Sequence, residues 1–446
     1  MEPRPTTLMK LKEKYIQITL VILTLVMTIF RFLLNEMGRV SPDSVRFMRF
    51  AKVLPTIDNT ITPLGYPVSI KFFTYFGLDE FWSSKLVGIV ALLFIIFFAW
   101  KKKFYLKESI ILCSLFSFVS IFSATLSEAL TLPFIFILLY ISHLIIEEKL
   151  VKWKAYFYLA LLLIVLYNIR YSALFLIGAT GLFGLISFRK KYGIIFLFSA
   201  ATACLYIILY QFLFIDYFNE NYIQQTLEIG LNPTSKLVPE LFFGLTTSFN
   251  PFVHMANPGG GIINWGIFGI GILNILLIAF LFLKNKLSDS EKYMILVGVS
   301  GIVCTFFVQY FYWIDPLDYR LLAPFSFPIW LVYFKKLIEL FGIKTYSIAA
   351  LSLLTGMAFM WLSKGFYLEN RKEVSAYLHS EKLEKTPLLF YVKNLEDLEK
   401  VQIAELISTV NSNIDFTFKP KDTLQKTTLT PHKVLQKIKI DKNEYQ

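Results

Sequence analysis

Charge is scarce in this sequence. Asp, Glu, Lys and Arg make up 17% of its 446 residues, against about 25% in soluble domains. A water-soluble globule of this length would need a more charged surface, so that class is excluded. Cysteine is scarce too: Cys113, Cys204 and Cys304 all fall within apolar runs. They read as small buried hydrophobes, and no disulfide framework is expected. Histidines stand at 143, 254, 379 and 432, too scattered for a His-rich metal centre.

What the sequence has in quantity is apolar surface in long blocks. Hydrophobic residues make up 56% and aromatic residues 17% of the chain. Runs such as Tyr15–Leu34, Ser83–Trp100 and Tyr192–Phe214 reach about 18 residues or more, enough to cross a ~30 Å hydrocarbon layer at 1.5 Å per residue. Further runs lie at 109–125, 128–146, 153–168, 171–188, 262–283, 293–313, 320–341 and 343–363. The reading is an all-α polytopic membrane protein with about eleven transmembrane helices. The first run follows Lys10, Lys12 and Lys14 and has no small-residue cleavage site after it, so it is expected to be a retained anchor.

Basic residues set an expected orientation. With the N-terminus in the cytoplasm, one side collects Lys101-Lys102-Lys103, Lys149/Lys152/Lys154, Arg189-Lys190-Lys191, Lys284/Lys286/Lys292 and Lys335-Lys336/Lys344. The positive-inside rule selects that arrangement. Much of the +12 net charge is this bias, so no nucleic-acid partner is expected. An odd number of spans puts residues 364–446 on the extracytoplasmic side, giving two domains, 1–363 and 364–446. In the second, Leu388–Val392 and Ile414–Phe418 read as strands and Leu395–Leu406 as a helix. The result is a small α/β C-terminal extracytoplasmic appendage, expected to be disordered from about 419.

The polar residues of interest gather on the expected outer face. A loop after the first span runs from Asn35 to the membrane return at Ser83. Within it, Phe47, Phe50, Ala51 and Leu54 share one helical face beside a basic stripe of Arg46, Arg49 and Lys52. That pattern reads as an interfacial helix with aromatics toward lipid and cations toward headgroups. Thr62–Pro67 breaks the chain before a second aromatic stretch, Val68–Phe76. Asp43 stands just past Pro42; helix capping by Ser41, Asp43 or Ser44 is the plain alternative to a functional role. Glu128 opens a span, and an acid at membrane depth is a functional candidate. Arg170 is the cation of its tight outer turn, and Asp318 with Arg320 opens a late span, where an interfacial ion pair is the plain alternative. The 215–261 loop, with His254 and Asn257-Pro258-Gly259-Gly260-Gly261, reads as a flexible lid.

In order along the chain, four segments resemble the GT-C superfamily of polytopic glycosyltransferases. The nearest branch is that of the protein O-mannosyltransferases and the lipid A aminoarabinose transferase. The segments are Ser41-Pro42-Asp43-Ser44-Val45-Arg46-Phe47 after the first span, the Pro-x-Gly-Tyr-Pro of Pro63–Pro67, the pair Ser127-Glu128 opening the fourth span, and Tyr319-Arg320-Leu321-Leu322-Ala323-Pro324. Ser44 departs from an acid common at its position, and Leu321 from a tyrosine.

The resemblance implies inverting transfer of a sugar from a polyprenyl-phosphate donor to a glycan, lipid or protein acceptor, at the outer face of a plasma (inner) membrane. Asp43 matches the catalytic-base position and Glu128 a second acidic position. The phosphate leaving group has a second pKa of about 6, so it needs cations more than a proton. Arg170, Arg320, Arg46 and Arg49 are the candidates. Tyr66, His254 and Asp318 are candidate acceptor or lid residues. No cofactor is required; a divalent ion held by Asp43 and Glu128 is compatible with the chemistry but not demanded by it. A flippase or transporter, or a polymerase or ligase of lipid-linked saccharides, is the alternative reading.

Overall fold

The computed structural model describes residues 7–57, 62–218, 234–255, 260–311, 318–393, 398–417, 419–420 and 428–429. The chain is mostly helical. In order come α1 (Thr7–Leu33), α2 (Pro42–Val53), α3 (Gly65–Thr74), α4 (Glu80–Lys102), α5 (Leu106–Cys113), α6 (Phe116–Ser123), α7 (Ser127–Ile146), α8 (Lys152–Ile169), α9 (Leu174–Ile186) and α10 (Gly193–Tyr210). Helices Thr234–Ser248, Gly261–Lys284, Asp289–Phe311, Tyr319–Phe341, Tyr346–Leu362, Tyr367–Ser380 and Leu398–Ser408 follow.

Among the described residues, eight helical stretches are long and apolar enough to cross a membrane, or nine if a bent pair counts as one. This is a multi-pass membrane protein. As far as their residues are described, the eleven apolar runs fall on helices, but not all as straight ones. The run 109–125 is broken into α5 and α6, bent by 75°. The run 171–188 is the shorter apolar helix Tyr171–Ile186. The last two runs form one stretch, Tyr319–Leu362, interrupted by the short turn Gly342–Thr345, where Gly342 takes φ +54.

The chain divides into two compact units. The first comprises Met1–Val26, Leu92–Val119 and Thr131–Gly356; the second comprises Met27–Ala91, Ser120–Leu130 and Met357–Gln446.

The first unit is a helical bundle. The helix Tyr319–Phe341 runs through its core, where Trp330 is fully buried against Phe334, with ring centroids 5.1 Å apart, and Phe249, 5.8 Å away. Buried amides carry polar links: Tyr333 donates to Asn274 at 2.6 Å, and Asn274 donates to the Phe249 carbonyl at 2.8 Å. The basic loops of this unit meet acids. Lys335 and Lys336 pair with Glu291 at 2.7 and 3.0 Å, Lys190 with Asp289 at 2.5 Å, and Lys191 with Glu148 at 3.5 Å. The hydrogen bond to Asp289 raises the Lys190 pKa above its ordinary value. The described second half of the 215–261 loop is a packed helix, Thr234–Ser248, with Thr246 and Ser248 buried. The lid expectation for 219–233 and 256–259 lies outside the described residues.

The second unit joins the first loop to the C-terminal segment. Strand β1 (Leu388–Tyr391) pairs in parallel with β2 (Ile414–Thr417) and with β3 (Thr428–Leu429), giving the order β2-β1-β3. The helix Leu398–Ser408 connects β1 to β2, as a parallel crossover requires. The predicted strand, helix and strand are therefore present; the helix start at 395–397 and most of the tail beyond 419 lie outside the described residues. One core joins Val45 and Met48 of α2 and Phe81 of α4 to Val374, Leu378, Leu388, Phe390, Val401 and Ile407.

That core corrects the reading of α2 as an interfacial helix. Phe50 and Ala51 of the predicted face, with Val45 and Met48, are at most 1% exposed and covered by protein rather than lipid, while Phe47 and Leu54 are partly buried. The following helix, α3, and the turn after it have the open apolar face: Val68, Phe72, Tyr75 and Phe76 are all at least half exposed.

Gly88 marks a close approach of α4 to α6. A Cβ there would sit 2.0 Å from the Phe122 carbonyl oxygen. Gly88→Leu is therefore expected to force the helices apart and destabilise the chain by at least about 1–3 kcal/mol. A lower melting temperature in detergent checks this, and an unchanged one refutes it.

Candidate functional site

The site is built around the start of α2. Before it, the Asn35 side-chain oxygen accepts hydrogen bonds from the backbone N–H groups of Met37 at 3.1 Å and Arg39 at 2.9 Å. This turn brings Gly38 and Arg39 to φ +66 and +59. Gly38 is required on both counts, since a Cβ would also meet the Phe81 ring at 2.8 Å. Ser41 then opens the helix, with the Ser44 hydroxyl accepting from the Ser41 N–H at 3.0 Å and Pro42 in the first turn. Capping thus belongs to Ser41 and Ser44. The Asp43 carboxylate, in the first turn, is half exposed and has Arg46 4.0 Å away.

The turn before α7 is tied to the same place. The Thr125 N–H donates to the Arg39 carbonyl at 3.2 Å, and Ser84 and Thr125 share a hydroxyl hydrogen bond at 2.7 Å. Lys85, 2% exposed, donates to the Ser123 carbonyl at 3.0 Å and the Arg39 carbonyl at 3.3 Å. Its ammonium also lies 4.9 Å from the centre of the Phe81 ring, a favourable cation–π placement. Arg39 lies four residues before Asp43, and Thr125 lies three before Glu128. One network therefore positions both acid-bearing helix starts.

Glu128 is 2% exposed, in the first turn of α7, and accepts from the Ser127 hydroxyl at 3.4 Å. Tyr66, fully buried, packs edge-on against Phe47 with ring centroids 5.0 Å apart, and shares a cluster with Ala51, Val87 and Leu130. Burial, and then the nearby Glu128 charge, push its phenol well above the usual tyrosine range, and its buried hydroxyl makes no hydrogen bond among the described residues. Phe47 lies one turn beyond Asp43 on the same face of α2. The second unit thus holds an accessible carboxylate, Asp43, and a buried one, Glu128, the latter near the Tyr66 phenol. Among the described residues no group of three or more His, Cys, Asp or Glu could hold a metal ion. Compared with known proteins, the chain matches no family model, no curated protein and no solved structure.

The other candidates are distributed as follows. Arg46 is exposed on α2. Arg49 pairs with Asp415 of β2 at 2.6 Å, and neighbouring Lys52 pairs with Glu80 at 3.3 Å, so both tie α2 to its surroundings. A double-mutant cycle of Arg49→Ala and Asp415→Ala should give a coupling of about 0.2–1 kcal/mol, because both side chains are partly exposed; a coupling of zero would remove the pair from the fold's account. Arg170, Arg320, His254 and Asp318 belong to the first unit. There, Arg170 donates to Ser172 at 2.9 Å. Asp318 accepts from the Leu321 N–H at 2.8 Å as a helix cap, with Arg320 3.8 Å away. His254, 4% exposed, lies between the rings of Tyr319 and Phe116, at 4.0 and 4.7 Å.

Sequence reasoning passed over Lys85 and Arg31, both buried within otherwise apolar helices. The signal was available: each is a cation inside a run long enough to span a membrane.

Proposed function

We propose that this protein is a polytopic glycosyltransferase of the GT-C kind, moving a sugar from a polyprenyl-phosphate donor to an acceptor hydroxyl with inversion. The observation that carries the reading is Asp43: an accessible carboxylate at a helix start whose cap is made by other residues, held by one network beside a buried Glu128 and its Tyr66 neighbour. Asp43 takes the acceptor hydroxyl's proton as the oxygen attacks the anomeric carbon, and the bond from that carbon to the donor phosphate breaks. The products are the glycosylated acceptor and a polyprenyl phosphate. A single base suffices for inversion, whereas a retaining route would use a second carboxylate as nucleophile. Glu128, buried near the Tyr66 phenol, is suited to orienting the acceptor.

Arg46 is proposed as a first-loop cation that meets the phosphate, since it is exposed and its pair with Asp43 spans 4.0 Å, whereas Arg49 and Lys52 are paired more closely within the fold. Arg170 and Arg320 are proposed as donor-phosphate ligands from the sequence alone, as cations fixed at span ends. The eleven-span topology, a cytoplasmic N-terminus, an extracytoplasmic tail in an inner membrane, and α3 as the helix lying in the lipid interface belong to this proposal too, supported by the basic loops and by the open aromatic face of α3.

The test is incubation of purified protein with labelled polyprenyl-phosphate sugars and membrane-derived acceptors, followed by NMR of the product's anomeric configuration. Transfer with inversion supports the proposal. Translocation of the lipid without bond cleavage would replace it with a flippase.

A further inference from the structure

A cleft of about 490 Å³ opens in the second unit, away from the Asp43 network. Its walls include Lys52 at the end of α2, Lys71 of α3, Glu80 at the start of α4, and Glu384, Asn411 and Ser412 of the C-terminal segment. The volume lies within the range of small-molecule sites. Several walls are fixed in place. Glu80 accepts from the Ser412 hydroxyl at 2.7 Å and pairs with Lys52 at 3.3 Å. Asn411 donates to the Leu383 and Thr386 carbonyls, each at 2.9 Å.

The lining selects a ligand class. Two lysines, Lys52 and Lys71, and three carboxylates, Asp79, Glu80 and Glu384, line it, so a bare phosphate or other polyanion would meet like charge. Among its described lining residues, only Leu78 and Val410 carry large apolar side chains, which leaves no bed for an acyl chain. A hydroxyl-rich molecule of low net charge fits both facts, since each hydroxyl donates to a carboxylate and accepts from an ammonium. Position adds the scale. Asp43 and Lys52 lie at opposite ends of α2, about 14 Å apart at 1.5 Å per residue.

We propose that this cleft is a saccharide subsite for the part of an extended glycan acceptor remote from the reacting hydroxyl. The proposal rests on the glycosyl-transfer reading and names its acceptor class. The C-terminal segment, which supplies Glu384, Asn411 and Ser412, then selects the acceptor, and remote binding energy positions the hydroxyl at Asp43.

Saturation-transfer-difference NMR on the full-length protein in detergent tests it, with gluco-, manno- and chito-oligosaccharides of two to four units as probes. Saturation transfer to at least one series is expected in wild type and in Asp43→Asn. In the Lys71→Ala/Glu384→Ala double variant, with unchanged elution on size exclusion, it should fall by about fivefold or more. No transfer to any probe, or equal transfer in the double variant, overturns the subsite. If the cleft binds saccharide as expected while wild type moves no sugar from any lipid-linked donor, the subsite stands and the enzyme reading falls. Sugar transfer that is indifferent to the cleft variants has the reverse meaning.

Discussion

Purified Asp43→Asn protein should transfer sugar from a labelled polyprenyl-phosphate donor at least about 100-fold more slowly than wild type, the scale of losing a general base. Elution and melting should stay close to wild type. Asparagine keeps the size of the side chain and is well tolerated at helix starts. The ion pair it disrupts is weak: Asp43 and Arg46 are 4.0 Å apart and both about half exposed, so its loss costs little stability. Ser41 and Ser44 still cap α2. A structural role for Asp43 would instead show as lost stability with residual activity in step. Glu128→Gln should impair transfer less, because a buried amide still accepts and donates hydrogen bonds. Wild-type turnover by Asp43→Asn would end the assignment of Asp43 as the base.

The spans were legible because hydropathy over about 20 residues is a local property. Breaks within them were less so: nothing in the composition of 109–125 announces the 75° bend between α5 and α6. The strand, helix and strand of the tail were also readable, each from its own short pattern.

The partner of α2 was not legible. An amphipathic helix has the same sequence whether its apolar face meets lipid or protein, and residues 45–51 carry no mark of the tail segments that help bury them. At the site, the sequence offered Asp43 and Glu128 as separate points. What connects them is hydrogen bonding to the Arg39 carbonyl from the Thr125 backbone N–H and the Lys85 side chain, and a carbonyl's partners leave no trace in residue identity. Lys85 was overlooked because a lysine near the start of a span reads as a boundary marker until its burial is known.

Removal of residues 364–446 should have the second large effect: loss of the folded second unit, with aggregation or a drop in melting temperature of about 10 °C or more. The reason lies in the shared core. Val45, Met48 and Phe81 are at most 1% exposed in the intact chain, clustered with Val374, Leu378, Leu388 and Phe390. Each such side chain returned to water costs about 1.5–3 kcal/mol, and whole domains are stable by only about 5–15 kcal/mol. The truncation would also break the pairs of Asp79 with Arg371 and of Arg49 with Asp415. Because α2 carries Asp43, transfer should vanish with the fold. Phe390→Asp separates this from simple shortening. It places a carboxylate at a fully buried position in β1 while keeping every other residue, and it should reproduce the melting defect. A truncated protein that melts and transfers like the full chain would mean that α2 is held without the tail, and that the tail is an accessory rather than part of the unit presenting the base.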